Sequence, residues 1–150
     1  VLIAQNDVVI IDFEGEPARP LAERRAKSSP LRDVAGLLRS IDYAAAAAGQ
    51  DQLGMPPQVS QRRADLLERF AREAKAAFLA AYRAAHDEAP RQWVEAGAEP
   101  ALLELFLIEK AAYEVRYEAA NRPAWLAIPL RGLADLAARV TAEAMETQDG

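Results

Sequence analysis

The apolar positions of this chain follow two different periods. Val1-Leu2-Ile3-Ala4 and Val8-Val9-Ile10-Ile11 are short β-branched-rich runs parted by Gln5-Asn6-Asp7. Two such runs around a polar break predict a β-hairpin over residues 1–13. A two-stranded ribbon is marginal by itself. It needs something to pack on, and the rest of the chain offers only helices. From Leu31 the period changes. Leu31, Val34, Leu38, Ile41 and Ala45 recur at helical spacing, behind Ser29 as N-cap and Pro30 as first helical residue. The Ala44–Ala48 run has high helix propensity, and Gly49 is a C-terminal stop. A second helix is expected from Ser60 to His86, with Leu66, Leu67, Phe70, Ala74, Phe78, Ala81, Tyr82 and Ala85 as its inner stripe. Pro90 bars its continuation. A third runs from Pro100 to Ala120. Its first half is apolar on more than one face (Leu102, Leu103, Leu105, Phe106, Leu107, Ile108), which predicts deep burial. Trp125 and Ile128 fall in a proline-bounded loop, and a fourth helix covers Leu130 to Glu146, with Leu133, Leu136, Val140 and Ala144 inward.

The expected fold is therefore mainly α. An N-terminal hairpin (1–13) leads through a charged, proline-containing loop (14–29) into a helical subdomain of about four helices (30–150). Neither an internal repeat nor a domain boundary interrupts it.

Composition narrows the function classes. The 150 residues include 23 acidic and 18 basic side chains, a net charge of -5. That argues against a sequence-independent nucleic-acid binder, which needs a basic stripe to displace counterions. It also supplies no polybasic membrane patch, and no run of 18 apolar residues predicts a transmembrane helix. With no cysteine there is no disulfide, thiolate metal site or cysteine nucleophile, which is compatible with a reducing compartment; the expected setting is cytoplasmic. The single histidine, His86, stands among Arg83, Asp87 and Glu88 and reads as a surface helix residue. The chain opens at Val1 inside a strand-like run and lacks a signal-peptide leader, which suggests a piece of a longer protein.

The chemistry-bearing segment is Ile10-Ile11-Asp12-Phe13-Glu14-Gly15-Glu16-Pro17. Val8, Ile10 and Asp12 share one face of a strand by period two. Two apolar side chains thus lead to one carboxylate at the strand's end, a pattern that calls for a partner. Magnesium is a natural one, since it takes hard oxygen ligands and usually one or two protein carboxylates. Protein kinases use an aspartate-phenylalanine-glycine segment in this way; here Glu14 intervenes before the glycine. An ordinary strand-to-loop exit with solvated acids fits the same spacing.

Residues 10–40, IIDFEGEPARPLAERRAKSSPLRDVAGLLRS, resemble the signature that follows the catalytic loop in bacterial maltokinases. ELFLIEKAAYEVRYEAANRP (104–123) and IPLRGL (128–133) are similar to C-terminal helices of the same family, in the same order. These are sugar kinases of the aminoglycoside-phosphotransferase type, standing alone or fused behind a trehalose synthase. The resemblance implies part of the C-lobe of a protein-kinase-like fold. It implies transfer of the ATP γ-phosphate to the anomeric hydroxyl of maltose, giving maltose 1-phosphate for α-glucan and trehalose metabolism. It makes Asp12 a magnesium ligand, with Glu14 assisting directly or through water. Asp33 would brace the catalytic loop. Lys110, Tyr113 and Tyr117 would contact maltose, with Arg131 a weaker candidate. Spacing is compatible with that group, because i, i+3 and i+7 fall on one helical stripe. Read without the resemblance, the two tyrosines are amphipathic residues at the edge of a core.

The family's His-Gly-Asp catalytic loop, with the presumed base, would lie upstream of Val1, as would the N-lobe whose lysine holds the ATP phosphates. No catalytic base is therefore expected within these residues, and the chain by itself should not turn over. Two other readings stay open. One is a helical interaction module with no catalysis. The other is a related kinase whose acceptor is a different sugar or an amino-alcohol.

Overall fold

The computed structural model of the chain describes residues 2–5, 7–11, 19–50, 55–88, 95 and 97–146. Two strands, β1 (Leu2–Ala4) and β2 (Asp7–Val9), pair antiparallel with Leu2 opposite Val9 and Ala4 opposite Asp7. Gln5 begins the turn at φ 51°, the left-handed conformation that suits the twist of a tight hairpin. The Asp7 side chain accepts a hydrogen bond from the Val8 N–H at 2.8 Å. The expected hairpin forms, and its described apolar side chains are not covered by the described helices. Leu2, Val8, Val9, Ile10 and Ile11 all remain exposed.

A short helix, α1 (Leu21–Arg25), occupies what the sequence suggests is loop. Pro20 fixes the backbone at its entry. Glu23 in the first turn and Arg24 and Arg25 in the last complement its dipole. One turn is too short to display an apolar period, so the pattern could not reveal it. α2 (Leu31–Gln50) starts where Ser29 and Pro30 predict. The Ser29 hydroxyl accepts from the Leu31 N–H at 3.3 Å.

α3 (Pro57–Asp87) begins three residues before Ser60. Its inner stripe is narrower than predicted. None of its residues is fully buried, and Leu66 and Phe70 are 65% and 51% exposed. Leu66 and Phe70 lie about 60–100° around the helix from Leu67. α2 covers only the Leu67 side, where the Leu67 Cδ1 sits 3.5 Å from the position a Cβ on Gly49 would take.

Gly97, at φ 87°, turns the chain into α4 (Glu99–Asn121). The deep burial expected of its first half is only partly realised. Leu103 is buried, but Leu105 is 57% exposed. Deeper burial comes in the second half, at Ala111, Glu114 and Glu118. A 3₁₀ turn (Pro123–Trp125) stands in the predicted loop and leads into α5 (Ala127–Glu146), which takes Pro129 into its first turn. Leu136 is buried there and Leu133 and Val140 are partly so; the side chain of Ala144 lies outside the described residues.

The protein is mainly helical, as expected, with α1 the helix that sequence did not anticipate. α2 and α4 form the centre, α3 packs on α2, and α5 packs on α4. Leu31, Val34, Ala35 and Leu38 of α2 meet Leu103 of α4, with Phe78, Tyr82 and Phe106 closing the edges. Fully burying one such leucine contributes roughly 1.5–3 kcal/mol. No described helix is long and apolar enough to cross a membrane.

Candidate functional site

The outer face of α4 carries an open cavity of about 590 Å³. Its floor is Tyr113 and Tyr117, which the helix sets one turn apart. Their rings stack at 6.2 Å between centroids and 20° between planes. Arg116 and Asn121 flank them on the same helix. Asn121 Nδ2 donates to the Tyr117 carbonyl at 2.8 Å, which leaves the Asn121 amide oxygen as an acceptor. Arg19, Pro20 and Glu23 close the opposite wall. Apolar ring faces, a guanidinium, an amide and a carboxylate around one cavity suit a polyhydroxylated ligand with apolar faces.

That wall is tied down by Glu109. Its carboxylate accepts from Arg19 at 2.5 Å and from Arg32 at 2.9 and 3.1 Å. Arg32 also lies over the Phe106 ring, 5.3 Å from its centroid. The Arg19 hydrogen bond, together with the charge of Arg32, outweighs partial burial and holds the Glu109 carboxyl below its ordinary value of 4.5. A depressed carboxylate stabilises the folded state above the unfolded-state value and ceases to do so as pH falls through the folded one. A carbon-detected titration should therefore find the Glu109 midpoint below 4.5, and Arg19→Ala should move it up. An unchanged midpoint in that variant would remove the clamp.

Below the cavity the helices enclose charge. Arg39 is 3% exposed and donates to Glu114 Oε2 from Nε at 3.0 Å and from Nη2 at 2.8 Å. Arg39 Nη1 donates to Asp42 at 3.3 Å, and Lys75 reaches the other Asp42 oxygen at 2.5 Å. α5 admits this guanidinium only because Gly132 has no side chain. A Cβ there would stand 2.9 Å from Arg39 Cζ and Nη2, and nearer still to Nη1. One turn further along α4, Glu118 accepts from the Tyr43 hydroxyl at 3.3 Å and from Arg122 at 2.5 Å. Burial, then the carboxylates of Glu114 and Glu118, push the Tyr43 phenol above its ordinary 10.0.

The residues singled out from sequence are not all brought together. Tyr113 and Tyr117 line the cavity. Lys110 is not among its lining residues; its Nζ stands over the Tyr113 ring, 5.3 Å from the centroid. Arg131 is exposed on α5 and does not line the cavity either. Asp33 is exposed in the first turn of α2. Asp12 and Glu14 lie outside the described residues. Among the described residues no group of three or more His, Cys, Asp or Glu could hold a metal ion.

Sequence reasoning passed over Arg116, Glu109 and Asn121. The first two share the Tyr113 face of α4 and could have been found by helical spacing. Nothing local joins them to Arg19 or Glu23. No protein-family model matches the chain.

Proposed function

We propose that this chain is the C-terminal part of an ATP-dependent sugar kinase of the maltokinase type, with the α4 cavity as its acceptor site. The observation that carries this reading is the stacked Tyr113–Tyr117 pair beneath a cavity that also holds Arg116, Asn121 and Glu23. Sugars are held by aromatic surfaces under their C–H faces and by planar polar groups at their hydroxyls. This cavity offers both. In the same reading Asp12 and Glu14 supply hard oxygen donors to Mg²⁺, and the nucleotide clamp and the base come from segments upstream. Asp12 and Glu14 would hold the metal, whose charge would offset the negative charge of the ATP phosphates. Asp33 braces the catalytic loop. The enzyme is cytoplasmic, alone or fused to a trehalose synthase.

The test is maltose-dependent ADP release by the full-length gene product that carries this sequence. Tyr117→Ala should raise KM for maltose about tenfold and leave kcat less affected, because the lost contact is made equally in ground and transition states. A helical interaction module would show no maltose-dependent ADP release in the first place. A kinase with another acceptor would release ADP with a different compound from a panel of sugars and amino-alcohols.

A further inference from the structure

The Tyr117 ring has a second neighbour that the acceptor reading does not use. Arg122 closes α4 as its C-terminal cap residue, with backbone angles of φ -143° and ψ 68°. Its N–H donates to the Glu118 carbonyl at 2.9 Å, and its carbonyl accepts from the Trp125 N–H at 2.8 Å. The backbone is thus held on both sides. Its guanidinium is held as well, by Glu118 Oε1 at 2.5 Å. Glu118 is itself 2% exposed and takes a hydrogen bond from Tyr43 of α2. From that anchor the Arg122 Cζ lies 5.6 Å from the centroid of Tyr117 and 5.4 Å from that of Trp125. A guanidinium stacks on aromatic faces as well as attracting them.

We infer that Arg122 is a positioning residue: fixed by the buried Glu118 and lodged against Tyr117 and Trp125, it sets the ring on which a sugar would lie. It touches Tyr117 without lining the cavity. Lys110 stands in the same relation to Tyr113 at the other end of the ring pair. The two stacked rings are thereby bounded at each end by a cation. A tyrosine on a helix surface otherwise exchanges between rotamers, and each exchange would break up the platform. The chain of contacts Tyr43–Glu118–Arg122–Tyr117 carries the order of the packed α2–α4 seam out to a half-buried ring.

The functional consequence rests on the proposed sugar site, whereas the ordering of the ring does not, so two readouts separate them. The first is the set of nuclear Overhauser contacts between the Tyr113 and Tyr117 rings in this chain without ligand. The second is maltose affinity, from chemical-shift titration with maltose itself. Arg122→Ala should lose the inter-ring contacts and weaken maltose binding about tenfold, while Arg122→Lys, a cation without the planar stack, should recover part of both. Glu118→Gln keeps the side chain's shape and removes the charge that anchors Arg122, and should reproduce the loss with far-ultraviolet circular dichroism unchanged. Intact inter-ring contacts in both Arg122→Ala and Glu118→Gln would overturn the positioning role, whether or not maltose binds. If the wild-type chain gives no saturable response to maltose but the ring contacts still depend on Arg122, the positioning role holds and the sugar assignment falls. If maltose binds equally well to wild type and Arg122→Ala, the role in recognition is overturned.

Discussion

Arg39→Ala is expected to destabilise the fold by about 3–5 kcal/mol, the cost of leaving a buried charge without its partner. Arg39 is 3% exposed, and its guanidinium holds Glu114 through two nitrogens. Glu114 has a side-chain exposure of only 10%, so water cannot take over that role. Asp42 would lose a second contact and keep Lys75. Urea unfolding followed by circular dichroism measures the loss. A cost below about 1 kcal/mol, typical of exposed ion pairs, would mean that water reaches Glu114. Replacing both partners by apolar residues, Arg39→Met with Glu114→Leu, should recover most of the stability, because no uncompensated charge remains. Gly132 supplies an independent check. Gly132→Ala pushes a methyl group into the Arg39 guanidinium, which is pinned on two sides and cannot swing away. It should cost about 1–3 kcal/mol in the wild-type chain and much less in the Arg39→Ala background. Additive effects would contradict the close approach of α5 to α2.

The parts of the fold that were legible are those whose partners lie close in sequence. α2 could be read because Leu31, Val34 and Leu38 repeat at one helical face and because Ser29 and Pro30 mark its start. The hairpin could be read because its turn is only two residues long. α3 misled because Leu66 and Phe70 extend its apolar stripe beyond what α2 can cover. Periodicity records which residues are apolar, and the number of neighbours decides how many of them are buried. The site divides along the same line. Tyr113 and Tyr117 stand out by spacing along one helix. The Arg19–Glu109 and Arg39–Glu114 pairs join residues 90 and 75 positions apart, and charge alone gives no hint of such a match. Seen along the helix by itself, Glu114 and Glu118 look like a solvated face. Their burial depends on helices whose mutual angle no local pattern encodes.

In the full-length gene product, Asp12→Ala is expected to lower ATP- and maltose-dependent ADP release about 10²–10³-fold, the effect typical of removing one group that stabilises transition-state charge. Phosphoryl transfer leaves the protein little covalent work, so rate follows the charge held around the phosphates. In the sequence Asp12 is the first carboxylate after the apolar run Val8–Ile11, the position that the maltokinase resemblance gives to the metal-binding aspartate. Its role is separable from that of the acceptor cavity. Tyr117→Ala should act chiefly on KM for maltose, and Asp12→Ala chiefly on kcat, because an interaction made mainly in the transition state is lost. Raising magnesium tenfold should recover part of the Glu14→Gln activity and little of Asp12→Ala, since in the proposed reading the aspartate holds the metal and the glutamate only assists. The fold is not at stake in this comparison, because the buried core draws on α2 and α4 and not on the strand. Wild-type activity in Asp12→Ala would sink the metal assignment and leave the solvated strand exit as its account.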